Sequence, residues 1–218
     1  MSPSTGALIT IEGLDGAGKT TLAVALEAAL ADRGIEVVRL REPGGVVLSE
    51  RIRALVADPR LEVDPRAEAL LFAAARAQLC AERLRPLLAA GRWILLDRFV
   101  DSSLAYQGGG RELGIDAVAA INDLATAGCR PDRTLLLRLD PAAGRARLMG
   151  RGEEQDRMER EREPFFARVA AAYDALAAAE PERFRVLDAG AAPDAVLAAA
   201  LAGIDDLLSS PEAGPPAG

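Results

Sequence analysis

The run Gly13-Leu14-Asp15-Gly16-Ala17-Gly18-Lys19-Thr20 carries the strongest chemical signal in the chain. Its spacing, G-x-x-x-x-G-K-[ST], lets glycines turn backbone N–H groups inward around a phosphate, and the helix that follows adds the positive end of its dipole. Lys19 can then reach the β- and γ-phosphates as a point charge, and the Thr20 hydroxyl is placed to bind Mg2+. Lys19 is also the only lysine in the chain, and histidine is absent. His-based triads and His-ligated metal centres are thereby excluded, and the single ammonium stands where a nucleoside triphosphate needs it.

Further on, Asp97-Arg98 closes the apolar run Trp93–Asp97. A carboxylate at the C-terminal end of a parallel strand lies on the edge where such sheets bind ligands, so Asp97 is suited to support Mg2+. Arg98 can clamp a phosphate through two parallel N–H donors. Arg41-Glu42-Pro43-Gly44-Gly45 forces a turn after another apolar run. Phe72 and Arg76 are one helical turn apart and share a face, where a ring and a guanidinium could stack and hydrogen-bond a base; read alone, a phenylalanine such as Phe72 is more often a core residue. The segment Arg145–Glu163 holds six arginines and six acids. It reads either as a salt-bridged solvated face or as a mobile lid bringing arginines to a transferring phosphoryl group, with Arg151-Gly152 as a hinge.

The elements that must position these residues are five short, buried-type strands: Ala7–Glu12, Glu36–Leu40, Trp93–Asp97, Thr134–Leu139 and Phe184–Leu187. Helical periodicity fills the gaps. Leu22, Leu26, Ala29 and Leu30 fall on one face, and so do Leu70, Leu71, Ala74 and Ala77. Alternation of this kind predicts an α/β fold, a parallel sheet with helices on both faces. One domain over 1–208 accounts for the chain, with a short helical lid near 144–163 and a Pro/Gly/Ser-rich tail over 209–218 that reads as disordered. A net charge of −7 and a pI near 4.9 argue against a nucleic-acid binder. Cys80 and Cys129 read as buried, reduced thiols. No secretion signal and no apolar run of about 18 residues is visible, so no membrane association and a cytoplasmic location are expected.

Taken together, the motifs resemble the thymidylate kinase family. The resemblance is carried by Gly13–Thr20, Arg41–Gly45, Phe72 with Arg76, Asp97-Arg98-Phe99, Ala105-Tyr106-Gln107-Gly108-Gly109 and Arg151…Asp156-Arg157, in family order over roughly Leu8 to Leu187. It implies the P-loop kinase fold with a five-stranded parallel sheet, a homodimer, and Mg2+-dependent transfer of the ATP γ-phosphoryl to dTMP. By the same likeness, residues 13–20 bind ATP, Phe72 stacks on thymine, Arg76 bonds its carbonyl edge and Ser103 faces N3. Tyr106 lies under the sugar, Gln107 is a neighbouring contact, Asp15 sits near the 3′-hydroxyl, and Arg41 and Arg98 hold the acceptor phosphate. Leu14, Asp15, Gly16 and Ala17 include no arginine, whereas Arg147, Arg151 and Arg157 crowd the lid. This looks like the bacterial subtype whose catalytic arginine, Arg151 or Arg157, comes from the lid. The loop Asp188-Ala189-Gly190 is the expected place for the adenine.

Two other readings use the same glycine loop. A nucleoside kinase would need a carboxylate base for a sugar hydroxyl, for which Glu12 is the nearest acid. A switch GTPase or partition ATPase needs lysines that this chain does not have.

Overall fold

The computed structural model describes residues 6–150 and 156–209. Its centre is β1 (Leu8–Gly13), buried along its whole length. The sequence LITIEG suits that position, since an inner parallel strand is covered on both faces and reads as a nearly continuous apolar run. The glycine loop leads into α1 (Lys19–Ala31), which returns to β2 (Val37–Arg41). Then come α2 (Val47–Ala57) and α3 (Pro65–Leu79), the latter continuing through a π-helical turn over Cys80–Leu84 into α4 (Arg85–Ala89). After β3 (Trp93–Asp97), the short α5 (Val100–Ser103) runs into a second π-helical segment, Leu104–Gly110, followed by α6 (Ile115–Thr126) and β4 (Arg133–Arg138). The last elements are α7 (Pro141–Met149), α8 (Glu163–Ala179), β5 (Phe184–Asp188) and α9 (Pro193–Ser209).

All five strands pair in parallel in the order β2-β3-β1-β4-β5. The five expected strands are thus present, with ends moved by a residue: β1 runs on to Gly13, which pairs with Leu137, and β5 to Asp188, which pairs with Arg138. Because β3 and β4 flank β1 on opposite sides, the crevice at the C-terminal ends of these strands is where such sheets bind ligands. One face of the sheet is covered by α1 and α9 through Leu22, Leu26, Leu30 and Ile204. Each such side chain contributes roughly 1.5–3 kcal/mol when fully buried. The opposite face carries Leu79, Leu84 and Phe99 on one side and Phe165, Val169 and Tyr173 of α8 on the other.

Helix α3 departs from its expected orientation. Leu70 is 56% exposed and Ala74 is exposed, while Glu68, Ala69, Ala73, Arg76 and Leu79 face inward. The two buried charged residues find ion partners inside, so the expected apolar stripe is only partly covered: Leu71 packs half-buried against Ile52, Val56 and Ala75, while Leu70 and Ala74 stay exposed. The tail expectation also shifts, because α9 runs to Ser209; residues 210–218 lie outside the described residues.

Candidate active site

The phosphate side is built where β1 ends. Gly16 and Gly18 have φ of 80° and 94°, left-handed values that glycine adopts without steric cost, and Gly18 caps α1. A Cβ on Gly16 would strike the Gly144 carbonyl, so α7 rests directly on the loop. Lys19 is buried and folds back over the loop, donating to Gly13 O at 3.2 Å and Leu14 O at 2.9 Å and lying 3.5 Å from Asp15 Oδ1. Burial and then the Arg98 charge push the ammonium pKa down, while Asp15, Asp97 and Glu12 oppose them.

At the end of β3, the Thr20 hydroxyl donates to Asp97 Oδ2 at 3.3 Å. The other oxygen, Asp97 Oδ1, is buried and has no hydrogen-bond partner among the described residues. Buried carboxylate oxygens are rarely left so unless a ligand uses them. Among the described residues, no group of three His, Cys, Asp or Glu gathers to hold a metal. That donor set suits Mg2+, which takes one or two protein groups and completes its shell with substrate phosphates and water. Thr20 and Asp97 therefore fit the ion.

Arg98 follows with φ 69°, in the left-handed region that costs a non-glycine residue on the order of 1 kcal/mol. Its surroundings enforce that conformation. Arg98 N donates to Ile11 O at 3.0 Å, and the next N–H, of Phe99, donates to Glu12 Oε1 at 2.7 Å. The Ser102 hydroxyl (2.6 Å) and the Tyr173 hydroxyl (2.8 Å) donate to Glu12 Oε2. Glu12 is completely buried; its pKa is pushed up to about 7 by burial and then by Asp101, against the pull of Ser102 and Arg98. Sealed in this way, Glu12 is a post that turns the Arg98 backbone and has no path to a sugar hydroxyl. The guanidinium so aimed pairs with Asp15 Oδ1, donates to Gly13 O and Ser102 Oγ at 3.2 Å each, and stands 5.1 Å from the centre of the Tyr106 ring. Tyr106 donates to Asp15 Oδ2 at 3.2 Å. Burial works to raise the Asp15 carboxyl pKa, but Arg98 and Lys19 outweigh it and hold it below the usual carboxylate range.

The base side lies across the cleft. Phe72 is half-buried against Ile52, Val56 and Ala75. Arg76 is only 2% exposed, and each of its three guanidinium nitrogens has a partner. Nε bonds Glu42 Oε2 at 2.8 Å, Nη1 bonds Ser103 Oγ at 2.9 Å and Asn122 Oδ1, and Nη2 bonds Phe99 O at 2.8 Å and pairs with Glu42 at 2.7 Å. A base carbonyl would therefore share a donor already given to Ser103. Gln107 Nε2 donates to Glu68 at 2.9 Å, and Arg41, half-exposed, pairs with Glu50 at 3.0 Å.

One cleft of about 380 Å3 is lined by both sides: Asp15, Gly16, Gly18, Lys19, Thr20, Asp97 and Arg98 with Arg41, Phe72, Arg76, Ser103, Tyr106 and Gln107. Of the arginines expected in the lid, Arg147 donates to Ala189 O at 3.1 Å and Gly16 O at 3.5 Å, bridging the glycine loop and the 188–190 loop. Arg157 was expected at the transferring phosphoryl group; its guanidinium instead rests on Glu68 at 2.6 Å and on Val56 O at 2.9 Å. Arg151 lies outside the described residues. Sequence reasoning gave Glu42 no role beyond its place in the Arg41–Gly45 turn, and missed Glu68 and Asn122 altogether. A signal existed for Glu68, which falls one turn before Phe72 and two before Arg76 on the same helix face.

Comparison with known proteins agrees with this geometry. A family model described as thymidylate kinase matches residues 11–199. Thymidylate kinase of Halorhodospira halophila is 48% identical over 205 residues, covering 93% of this chain and 95% of that one. The Oenococcus oeni thymidylate kinase is 50% identical over 206 residues, with 93% and 97% covered. The crystal structure of thymidylate kinase from Ehrlichia chaffeensis superposes with a TM-score of 0.68 at 30% identity, covering 84% of this chain and 92% of that chain. With a nucleotide-kinase cleft at its sheet edge and likeness of this extent, the chain belongs to the thymidylate kinase family.

Proposed function

We propose that the cleft holds ATP and dTMP end to end and transfers the γ-phosphoryl in line to the dTMP 5′-phosphate. The observation that carries this reading is the single cleft joining the Lys19 loop to the wall of Phe72, Ser103 and Tyr106. The acceptor phosphate is already a competent nucleophile, so the work of the protein is positioning and charge neutralisation. The Gly13–Thr20 backbone and Lys19 hold the donor phosphates. Arg98, fixed by Glu12 and Asp15, and Arg41 at the rim hold the acceptor phosphate. Phe72 stacks the base, and Tyr106 supports the sugar beside Asp15. Mg2+, held by Thr20 and Asp97, neutralises charge on the donor phosphates when bound. An arginine of the lid region, Arg147 or Arg151, meets the charge that develops in transfer.

Arg98→Ala tests the acceptor assignment. It should lower kcat/KM for dTMP by about a hundredfold or more, as expected for a charge held in a pre-formed site, while KM for ATP moves little. Unchanged kcat/KM for dTMP would remove Arg98 from the acceptor site.

The assembly we propose is a homodimer. Helix α6 packs on α3, and Ala67, Leu70 and Ala74 are exposed on α3 as Ala117, Ala120 and Leu124 are on α6. Leu70 is 56% and Leu124 86% exposed, and such a joint apolar face suits a second copy of the chain. No helix among the described residues is long and apolar enough to cross a membrane. We assign the enzyme to the cytoplasm, where its nucleotide substrates are found.

A further inference from the structure

Glu68 is completely buried, yet it lies beside the cleft and takes no part in the transfer just described. Three side chains converge on its two oxygens. Gln107 Nε2 donates to Oε1 at 2.9 Å from the π-helical segment that carries Tyr106. Arg111 donates to Oε1 at 3.1 Å and Oε2 at 3.0 Å. Arg157 approaches Oε2 at 2.6 Å from a turn within the lid region. Burial works to raise the Glu68 carboxyl pKa, but Arg111, Gln107 and Arg157 outweigh it and keep the group ionised. The Arg157 side is further fastened to the end of α2, its backbone N–H donating to Ala57 O at 3.2 Å and its Nε to Val56 O at 2.9 Å. Val56 and Ala57 line the cleft, as do Asp156, Met158 and Glu159 on the turn itself. Asp156 Oδ1 braces that turn by accepting from Met158 N at 2.8 Å and Glu159 N at 2.9 Å.

We propose that Glu68 and Arg157 form a clasp that positions the 156–161 turn against α2 and α3, so that Arg157 acts as a positioning residue. The inference rests on the thymidylate kinase reading of the cleft and assigns Arg157 a role away from the phosphoryl group. The Arg157 guanidinium is held through two of its three nitrogens, Nη2 paired at 2.6 Å with a sealed carboxylate and Nε bonded to a helix-end carbonyl. Withdrawing it would leave Glu68 with less compensation in a fully buried site, which is costly. The clasp joins the helix carrying Phe72 and Arg76 to the segment carrying Gln107 and to the turn on the far wall. Its integrity therefore sets the shape of the acceptor side.

A double-mutant cycle on the full-length enzyme distinguishes the two roles. Arg157→Met and Glu68→Gln should each lower kcat/KM for dTMP by roughly tenfold or more, and the double variant should be no worse than the poorer single, because both break one contact. Arg157→Lys should recover most of the loss, since an ammonium can still pair with Glu68. Hydrogen exchange at the Arg157 amide should quicken in Glu68→Gln. Losses that multiply, or Arg157→Met without effect on kcat/KM, would overturn the clasp. If Glu68→Gln fails to fold, Arg157→Met alone decides through amide exchange across 156–161 and at Ala57. Faster exchange with reduced kcat/KM supports the clasp, and unchanged exchange overturns it. A general failure of the thymidylate reading looks different, because wild-type enzyme would then show no preference for dTMP before any substitution.

Discussion

Two acids adjoining the motifs, Glu12 and Glu68, do as much to shape the site as the motif residues themselves. Glu12 precedes the glycine loop on a strand otherwise apolar, and its burial with four donors is what lets Arg98 hold a left-handed backbone. That Lys19, Thr20, Asp97 and Arg98 would gather at one cleft was legible, because the glycine-loop spacing and the end of a parallel strand place them at the same edge of the sheet. The acids were not, because a buried carboxylate is defined by partners distant in sequence: Phe99, Ser102 and Tyr173 for Glu12, and Gln107, Arg111 and Arg157 for Glu68. Glu12 makes a pH prediction. Its folded pKa, about 7, lies above the ordinary 4.5, so the stability linked to its proton is fully present below about 4.5 and is lost as pH rises through 7. Glu12→Gln removes that titration while keeping an acceptor for Phe99 N. Stability of the variant minus that of wild type, from urea melts, should rise between pH 5 and pH 8 by on the order of 3 kcal/mol and level off above. A flat difference would mean that Glu12 titrates normally.

At the scale of elements, the five strands were legible to within a residue because parallel inner strands leave long apolar runs. Helix α3 was legible as a helix but not in its orientation. Its inward face is set by Glu68 and Arg76 finding Arg111, Arg157 and Glu42, contacts that no periodicity encodes. The lid region shows the same limit. A count of arginines could not separate one that braces (Arg157) from one that bridges the loop (Arg147). The glycine loop has no arginine, so the charge developing in transfer must be met by a cation from outside it. Alanine at Arg147 or at Arg151, the latter outside the described residues, should lower kcat by roughly 10³-fold in the one case where the true donor is removed, with little change in KM for ATP. Near-normal kcat in both variants would leave the region only a bracing role.

For the whole molecule, an acidic chain forms a cleft whose walls set Lys19, Arg41, Arg76 and Arg98 beside Asp15, Glu42 and Asp97, so phosphate binding rests on where the cations stand and not on a net positive field. The apolar face of α3 and α6 is the other whole-molecule feature. Leu70→Glu combined with Leu124→Glu should convert the proposed dimer to a monomer in sedimentation at micromolar concentration, since like charges would face each other across a two-fold axis. A wild-type chain that sediments as a monomer would contradict the dimer. The central claim concerns which base the cleft accepts, and its most direct test is ADP release by wild-type enzyme with ATP, Mg2+ and dTMP, dUMP, dCMP, AMP or GMP as acceptor. Phe72 and Ser103 both line the cleft, where the one would stack a pyrimidine ring and the hydroxyl of the other, already bonded to Arg76, would meet the polar edge of the base. dTMP should therefore lead, and dUMP should follow by the roughly 1–3 kcal/mol that one methyl group contributes. dCMP, AMP and GMP should stay near background, because each leaves buried polar groups unpaired or exceeds the space. A preference for AMP, GMP or dCMP over dTMP would contradict the account.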